Sequence, residues 1–301
     1  MDADWLNCFG EGCRLDQGDG MRERRVVAGS DTVGTVHNGV IDLNAPPDAW
    51  AADVLERFAR DRVIEQNWNS SNGKTDSEIA HYLAALDGPI CEVAAGPGGG
   101  FMPRVRQLNP HARIMVNDVS PGVLALWQRF LSGQGLDEGM CLAAFDASCP
   151  VLRPGCLAAV SSLIGFSSIV PGAAVAQIAA VRRGDAAEFV PVGLQPQAEA
   201  VSCMANALRS GGVLLAEEAT FDPAAWADLP TAPRQEWERR WAPWLTFSPI
   251  EAVKAVGLRV LKHRVFPGRV LDPGDSEAAQ DAARYGITLR TRYEHIHAVK
   301  P

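Results

Sequence analysis

The chain has 301 residues, enough for one large domain with additions or for two small ones. Hydrophobic residues make up 47% and charged residues 21%, which excludes disorder over most of its length. A formal net charge of −8 leaves no electrostatic footprint for a phosphate backbone, so nucleic acid is not an expected partner.

The first residues, MDADWLNCFG, contain neither a basic nor an apolar leader region. Seven cysteines, an odd number, fit a reducing cytoplasm better than a disulfide framework. Residues 1–47 read as a small irregular N-terminal extension, with a β-like run at 25–27 and a strand at 39–43. Cys8, Cys13 and His37 supply three ligands where a structural zinc wants four, so no metal is expected.

Helical periodicity then puts Trp50, Val54, Leu55, Phe58 and Ile64 on one face. The polar stretch 67–74 reads as a break. Thr75 and Glu78 form a capping box for a helix that carries Ile79, Tyr82, Leu83 and Leu86 and stops at Gly88-Pro89. Residues 48–88 are thus expected to form a helical cap.

From residue 89 short apolar strands alternate with helices. Strands are expected at 90–95, 114–116, 142–145, 157–163, 213–216, 258–265 and 291–299, with helices near 101–108, 121–133, 196–209 and 249–256. The alternation predicts an α/β fold, a mostly parallel sheet with helices on both faces. The uncharged run from 157 to 181 carries four serines and Pro171-Gly172. It reads as a buried strand, a loop and a weak helix, not a membrane span.

Glu92-Val-Ala-Ala-Gly96-Pro-Gly98-Gly99-Gly100 follows the first strand of this unit and opens a helix. Glycines there allow close backbone approach to a ligand, and the helix N-terminus favours negative charge. A dinucleotide fingerprint would need glycine at 101, where Phe101 stands. Asp118 closes the second strand and Asp146 the third, at the sheet edge where ligands of open α/β sheets bind. An acid in the first place suits ribose hydroxyls, and one in the second can accept from an adenine amino group. Taken singly, Asp118 can equally cap the next helix and Asp146 begin a turn.

The segment Glu92 to Gly98, Asp118 and Asp146, followed by Ser161-Ser-Leu-Ile-Gly-Phe166 and Leu208-Arg-Ser-Gly-Gly-Val-Leu-Leu-Ala-Glu217, resembles a class I S-adenosylmethionine-dependent methyltransferase over residues 88–301. The resemblance implies a Rossmann-like seven-stranded, mostly parallel sheet with an antiparallel last strand, and S-adenosyl-L-methionine as cofactor. By position, Glu92 orients the turn and reaches the methionyl amine through water. Ala94, Gly96 and Gly98 pass under the methionine moiety. Asp118, with Val119 beside it, binds the ribose, Asp146 with Ala147 meets the adenine, and Ser162 adjoins the cofactor. Ala94 stands where glycine is commonest, and Ser161-Ser162 replace a more usual acidic or Asn-Pro-Pro motif. The second departure weakens the case for an amino-group acceptor in nucleic acid or protein.

The acceptor is therefore expected to be a small molecule, a specialised metabolite, with Glu217, Glu218 and Tyr293 as candidate bases. Tyr293, His295 and His297 alternate onto one face of the last strand, and the histidines read as packed structural residues. Trp68, Asn69 and Phe166 are expected to bound the acceptor pocket with part of an insertion at 219–247. Trp237, Trp241 and Trp244 of that insertion share one helical face. They suit an aromatic lid, or packing on the core or in a homodimer. The same cofactor site also serves enzymes that displace at another sulfonium carbon, by ring closure or aminocarboxypropyl transfer, and non-catalytic partner subunits.

Overall fold

Eleven strands form one sheet in the computed structural model, which describes residues 3–17, 24–28, 30–43, 52–74, 78–169, 196–245 and 247–301. After α1 (Ala3–Leu6), the strands β1 (Cys13–Gln17), β2 (Arg24–Ala28), β3 (Asp31–His37) and β4 (Val40–Asp42) make an antiparallel meander. Asn38 and Gly39 between the last two both have positive φ (48° and 84°), the backbone of a two-residue hairpin turn whose twist matches its strands. The extension is therefore not irregular where it is described. The run expected at 25–27 lies within β2 and the strand expected at 39–43 contains β4, which is stabilised by lying parallel against a core strand far along the chain.

Three helices follow, α2 (Ala52–Arg60), α3 (Val63–Lys74) and α4 (Glu78–Ala84). The polar stretch expected to break the helix is the second half of α3. Burial of Ile64 and Trp68 holds it in place where propensity does not. Thr75, of the expected capping box, lies outside the described residues, as does Trp50.

The alternating unit runs β5 (Ile90–Glu92), a 3-10 turn at Gly96–Gly98, α5 (Met102–Leu108), β6 (Ile114–Asp118), α6 (Pro121–Gln134), β7 (Met140–Ala144), β8 (Leu157–Leu163) and α7 (Gly165–Ser168). Every residue of β5, β6 and β7 is buried, as parallel strands covered on both faces require. Ser120 caps α6 by accepting from the Val123 amide, with Pro121 at the first helical position. The chain continues through α8 (Pro196–Ala207), β9 (Leu208–Phe221), α9 (Thr231–Leu245), α10 (Pro249–Ala255), β10 (Arg259–Val270), α11 (Glu277–Arg284) and β11 (Arg290–Val299). No helix among the described residues is long and apolar enough to cross a membrane, and the first part of the uncharged run is β8.

The strand order is β1-β2-β3-β4-β7-β6-β5-β8-β9-β11-β10. Seven strands from β7 to β10 form the expected core, and β11 is antiparallel to both neighbours. The other four extend it beyond β7, so the sheet has eleven strands where seven were expected. From β5 the chain steps outward to β6 and β7, then crosses back to β8 on the other side. That reversal leaves a crevice outside the carboxyl ends of β5 and β8.

One apolar layer joins Trp68, Phe101, Leu124 and Trp127 to the face of the sheet that includes Ile90 and Val116. The other face packs Val160, Leu214 and Ile296 against Val201, Met204 and Val253. Trp226 and Trp237 make a third, smaller core with Ala279, Ala282 and Leu289, joining α9 to α11.

Candidate functional site

The turn between β5 and α5 forms the floor of the crevice. Ala94 follows β5 with φ +49°, a left-handed conformation that only glycine adopts without a Cβ clash. Its amide donates to Asn117 Oδ1 at 3.3 Å, which helps hold it there. Gly96 has φ +54°, and a Cβ on it would meet nothing within 4 Å. At Gly98 a Cβ would meet only Asn67 Nδ2, at 3.9 Å. The turn thus faces open space. It is braced from behind by Trp127, whose indole Nε1 donates to Gly96 O at 2.9 Å.

Asp118, at the end of β6, is buried and already engaged. Oδ2 accepts from the Gly96 amide at 2.9 Å and Oδ1 from the Ser120 amide at 2.8 Å. One carboxylate therefore fixes both the glycine turn and the start of α6. A carboxylate oxygen can accept more than one hydrogen bond, so these contacts do not by themselves close Asp118 to a hydroxyl. Val119 beside it is half-buried. Asp146 lies two residues past β7, half-buried, with Oδ1 accepting from the Ser148 amide at 2.9 Å and hydroxyl at 2.6 Å. It does begin a turn. Ala147 next to it is buried.

Two buried glutamates flank the crossover, and each is held by one of the adjacent serines of β8. Ser161 Oγ donates to Glu92 Oε2, and Ser162 Oγ donates to Glu218 Oε1. Neighbours on a strand point to opposite faces, so the pair serves both layers at once. Burial pushes the Glu92 carboxyl up to about 8, partly offset by the Ser161 hydroxyl. Its Oε1 lies against Gly100 and toward the Phe101 amide, in no hydrogen bond of good geometry. A Cβ on Gly100 would come within 1.8 Å of that oxygen, so this position requires glycine.

Glu218 is also raised by burial, against opposing hydrogen bonds. Its Oε2 accepts from the Ser167 amide at 2.9 Å, while Ser162 Oγ accepts from the Gly165 and Phe166 amides at 3.1 Å each. Glu218 and Ser162 are thus a clasp on the turn from β8 to α7, with no solvent-facing atom for a base or a cofactor contact. Glu217, one residue earlier and on the opposite face, is partly exposed and pairs with His295 Nε2 at 2.8 Å. Tyr293 is half-buried beside Ala219, and the antiparallel β11 brings it to the same carboxyl edge.

The expected acceptor wall is arranged differently from its sequence reading. Trp68 is buried, its ring 5.4 Å from Phe130 and 6.4 Å from Trp127, so it anchors α3 in the core. Asn69 is exposed. The residue that reaches the site is Asn67, whose Nδ2 donates to Pro97 O at 2.9 Å. Phe166 is buried in the core, and the preceding Ile164 stands exposed at the crevice edge with φ +59°. A β-branched residue rarely adopts that conformation. Its amide donates to Glu217 O at 2.7 Å, tying the β8 turn to β9.

Trp226 and Trp237 of the insertion face their own core, and Trp241 Nε1 donates to Asp281 Oδ2 at 3.0 Å, the packed alternative rather than a lid. The Trp244 side chain is outside the described residues. Cys8 and Cys13 are buried, His37 is exposed, and among the described residues no three His, Cys, Asp or Glu side chains converge as metal ligands.

No family model matches the sequence, and no curated protein does. Solved structures do match the fold. Phosphoethanolamine N-methyltransferase 2 of Haemonchus contortus, in complex with S-adenosyl-L-methionine, superposes with a TM-score of 0.52 at 13% identity, covering 84% of this chain and 58% of that one. Geranyl diphosphate C-methyltransferase from Streptomyces coelicolor A3(2), with Mg2+, geranyl diphosphate and S-adenosyl-L-homocysteine, gives 0.51 at 12%, covering 85% and 87%. The [4+2]-cyclase SpnF gives 0.50 at 16%, covering 77% and 82%. The chain has the fold of the class I S-adenosylmethionine-dependent methyltransferases.

Proposed function

We propose that the chain binds S-adenosyl-L-methionine at the turn Ala94 to Gly98 and transfers its methyl group to a small-molecule acceptor. The observation that carries this reading is the open cradle over Gly96 and Gly98, placed at the strand-order reversal and held by the carboxylate of Asp118. The sulfonium, when bound, supplies an electrophilic methyl group. The turn would hold the methionine moiety, Asp118 the ribose, and Asp146 with Ala147 the adenine. An ammonium group near Glu92, directly or through water, favours its ionised form, so the buried carboxyl is a site where binding displaces a proton.

Methyl transfer is an in-line displacement that needs positioning and exclusion of water more than acid–base work. The commitment of Glu218 to the β8 turn agrees with that demand. Glu217, through its pair with His295, and Tyr293 are the groups left to accept a proton where the acceptor must lose one. The same fold carries a cyclase in SpnF, which keeps chemistry other than methyl transfer in view. Incubation with S-adenosylmethionine and a metabolite extract tests both readings. Release of S-adenosylhomocysteine supports methyl transfer, and methylthioadenosine in its place would replace it with displacement at another carbon. A calorimetric titration with no heat of cofactor binding would overturn the proposal.

A further inference from the structure

A cavity of about 280 Å3 lies between α4 and the face of the sheet formed by β9, β11 and β10, away from the glycine turn. Its walls divide into two chemistries. Ile79, Tyr82, Leu215 and Phe266 form an apolar side. Tyr82 and Phe266 keep 41% and 38% of their surface exposed, apolar area that an organic group would cover with gain. Lys262, Arg264, His295 and His297 form the other side, with the carboxylate of Glu78 beside them.

The acidic groups near these cations are few. Glu78 pairs with Lys262, and Glu217 pairs with His295. Arg264 makes no close ion pair among the described residues, and the Glu78 carboxylate is the acid that feels its charge. The His297 ring meets Tyr82 edge-on at 5.0 Å, and its Nε2 is buried with no hydrogen-bond partner among the described residues. Burial, then the nearby Lys262, holds that imidazole below its usual pKa. In a chain of net charge −8, the two cations and two imidazoles here face only the carboxylates of Glu78 and Glu217 among the described residues, so the cavity is locally about neutral, with the Arg264 guanidinium in no close ion pair. Such a lining suits an oxyanion, with the guanidinium as a two-donor fork.

We infer that this cavity binds a small organic oxyanion, a carboxylate or phosphate ester with an apolar body, and that it anchors the charged arm of the acceptor. Its position supports that role. His295 pairs with Glu217, and the Glu217 carbonyl receives the Ile164 amide at the crevice edge, so the cavity adjoins the carboxyl end of β9. The binding claim stands on the cavity alone, and the acceptor role rests on the methyl-transfer reading.

Phenyl phosphate, phenol and inorganic phosphate, titrated into the full chain by calorimetry, test the inference. Phenyl phosphate should bind best of the three. Arg264→Ala should weaken phenyl phosphate and inorganic phosphate about tenfold each, the loss of one charge-assisted contact. Phe266→Ala should weaken phenyl phosphate alone. Both residues are exposed on an edge strand, and an unchanged Tm checks that the fold survives. Equal binding of phenyl phosphate and phenol, or variants that bind phenyl phosphate as the unsubstituted chain does, would overturn the site. Saturation with S-adenosylhomocysteine should leave phenyl phosphate affinity intact, since acceptor and cofactor must bind together. Mutually exclusive binding would overturn the acceptor role. Absence of cofactor binding with phenyl phosphate still bound would instead sink the methyl-transfer reading.

Discussion

Replacing Glu92 with glutamine should reshape the pH dependence of stability. The Glu92 carboxyl is fully buried, and desolvation moves it from 4.5 to about 8. Between those values the unfolded chain has released a proton that the folded chain retains. The unfolded state then binds fewer protons, so stability falls as pH rises across this window. For this one group the loss, relative to strong acid, works out at about 1 kcal/mol at pH 5.5, about 3 at pH 7 and about 4 to 5 at pH 8.5. Glutamine keeps the shape and can still accept from the Ser161 hydroxyl, and it does not titrate. Other groups titrate alike in both proteins and cancel. The stability of Glu92→Gln relative to the unsubstituted chain should therefore swing by about 3 kcal/mol in favour of the variant from pH 5.5 to 8.5. Urea denaturation of both proteins at the two pH values measures it. Stability profiles that run parallel within about 0.5 kcal/mol would refute the argument and show Glu92 ionised in the folded chain.

Asp118→Asn places an amide where two backbone N–H groups need acceptors, so one of Gly96 and Ser120 loses its partner. Denaturation should show a loss of about 1 to 3 kcal/mol even without cofactor, and calorimetry a weaker cofactor site. Unaltered stability would mean that water replaces the lost contact. Gly100→Ala drives a Cβ to within 1.8 Å of Glu92 Oε1 at a φ of +50°. It should destabilise by about 3 kcal/mol or more, or prevent soluble expression. The double variant Gly100→Ala with Glu92→Ala should recover part of that loss in thermal melts, because the clash is with that one side chain.

The sequence alone determined the elements whose signals are local. The glycines after β5, the serine and proline at the start of α6, and the uniformly apolar strands each act within a few residues of themselves. Those features sufficed to read an α/β fold, to put Asp118 and Asp146 at strand ends, and to set β8 at Leu157–Leu163.

Tertiary structure decided which partner each polar side chain took. Ser161 meets Glu92 across 69 residues and Ser162 meets Glu218 across 56, a pairing set by the register of β8 between β5 and β9. It explains two serines that read in the sequence only as a departure from a familiar motif. The same holds for α3, where helical rotation turns Trp68 into the core and Asn67 toward Pro97. Both residues sit in one polar stretch, and only packing against α6 chooses between them. The four extra strands at the edge are a further case. They pair locally with one another, but β4 joins them to the core sheet through β7, about a hundred residues away in the chain, and a local pattern cannot carry a contact of that separation.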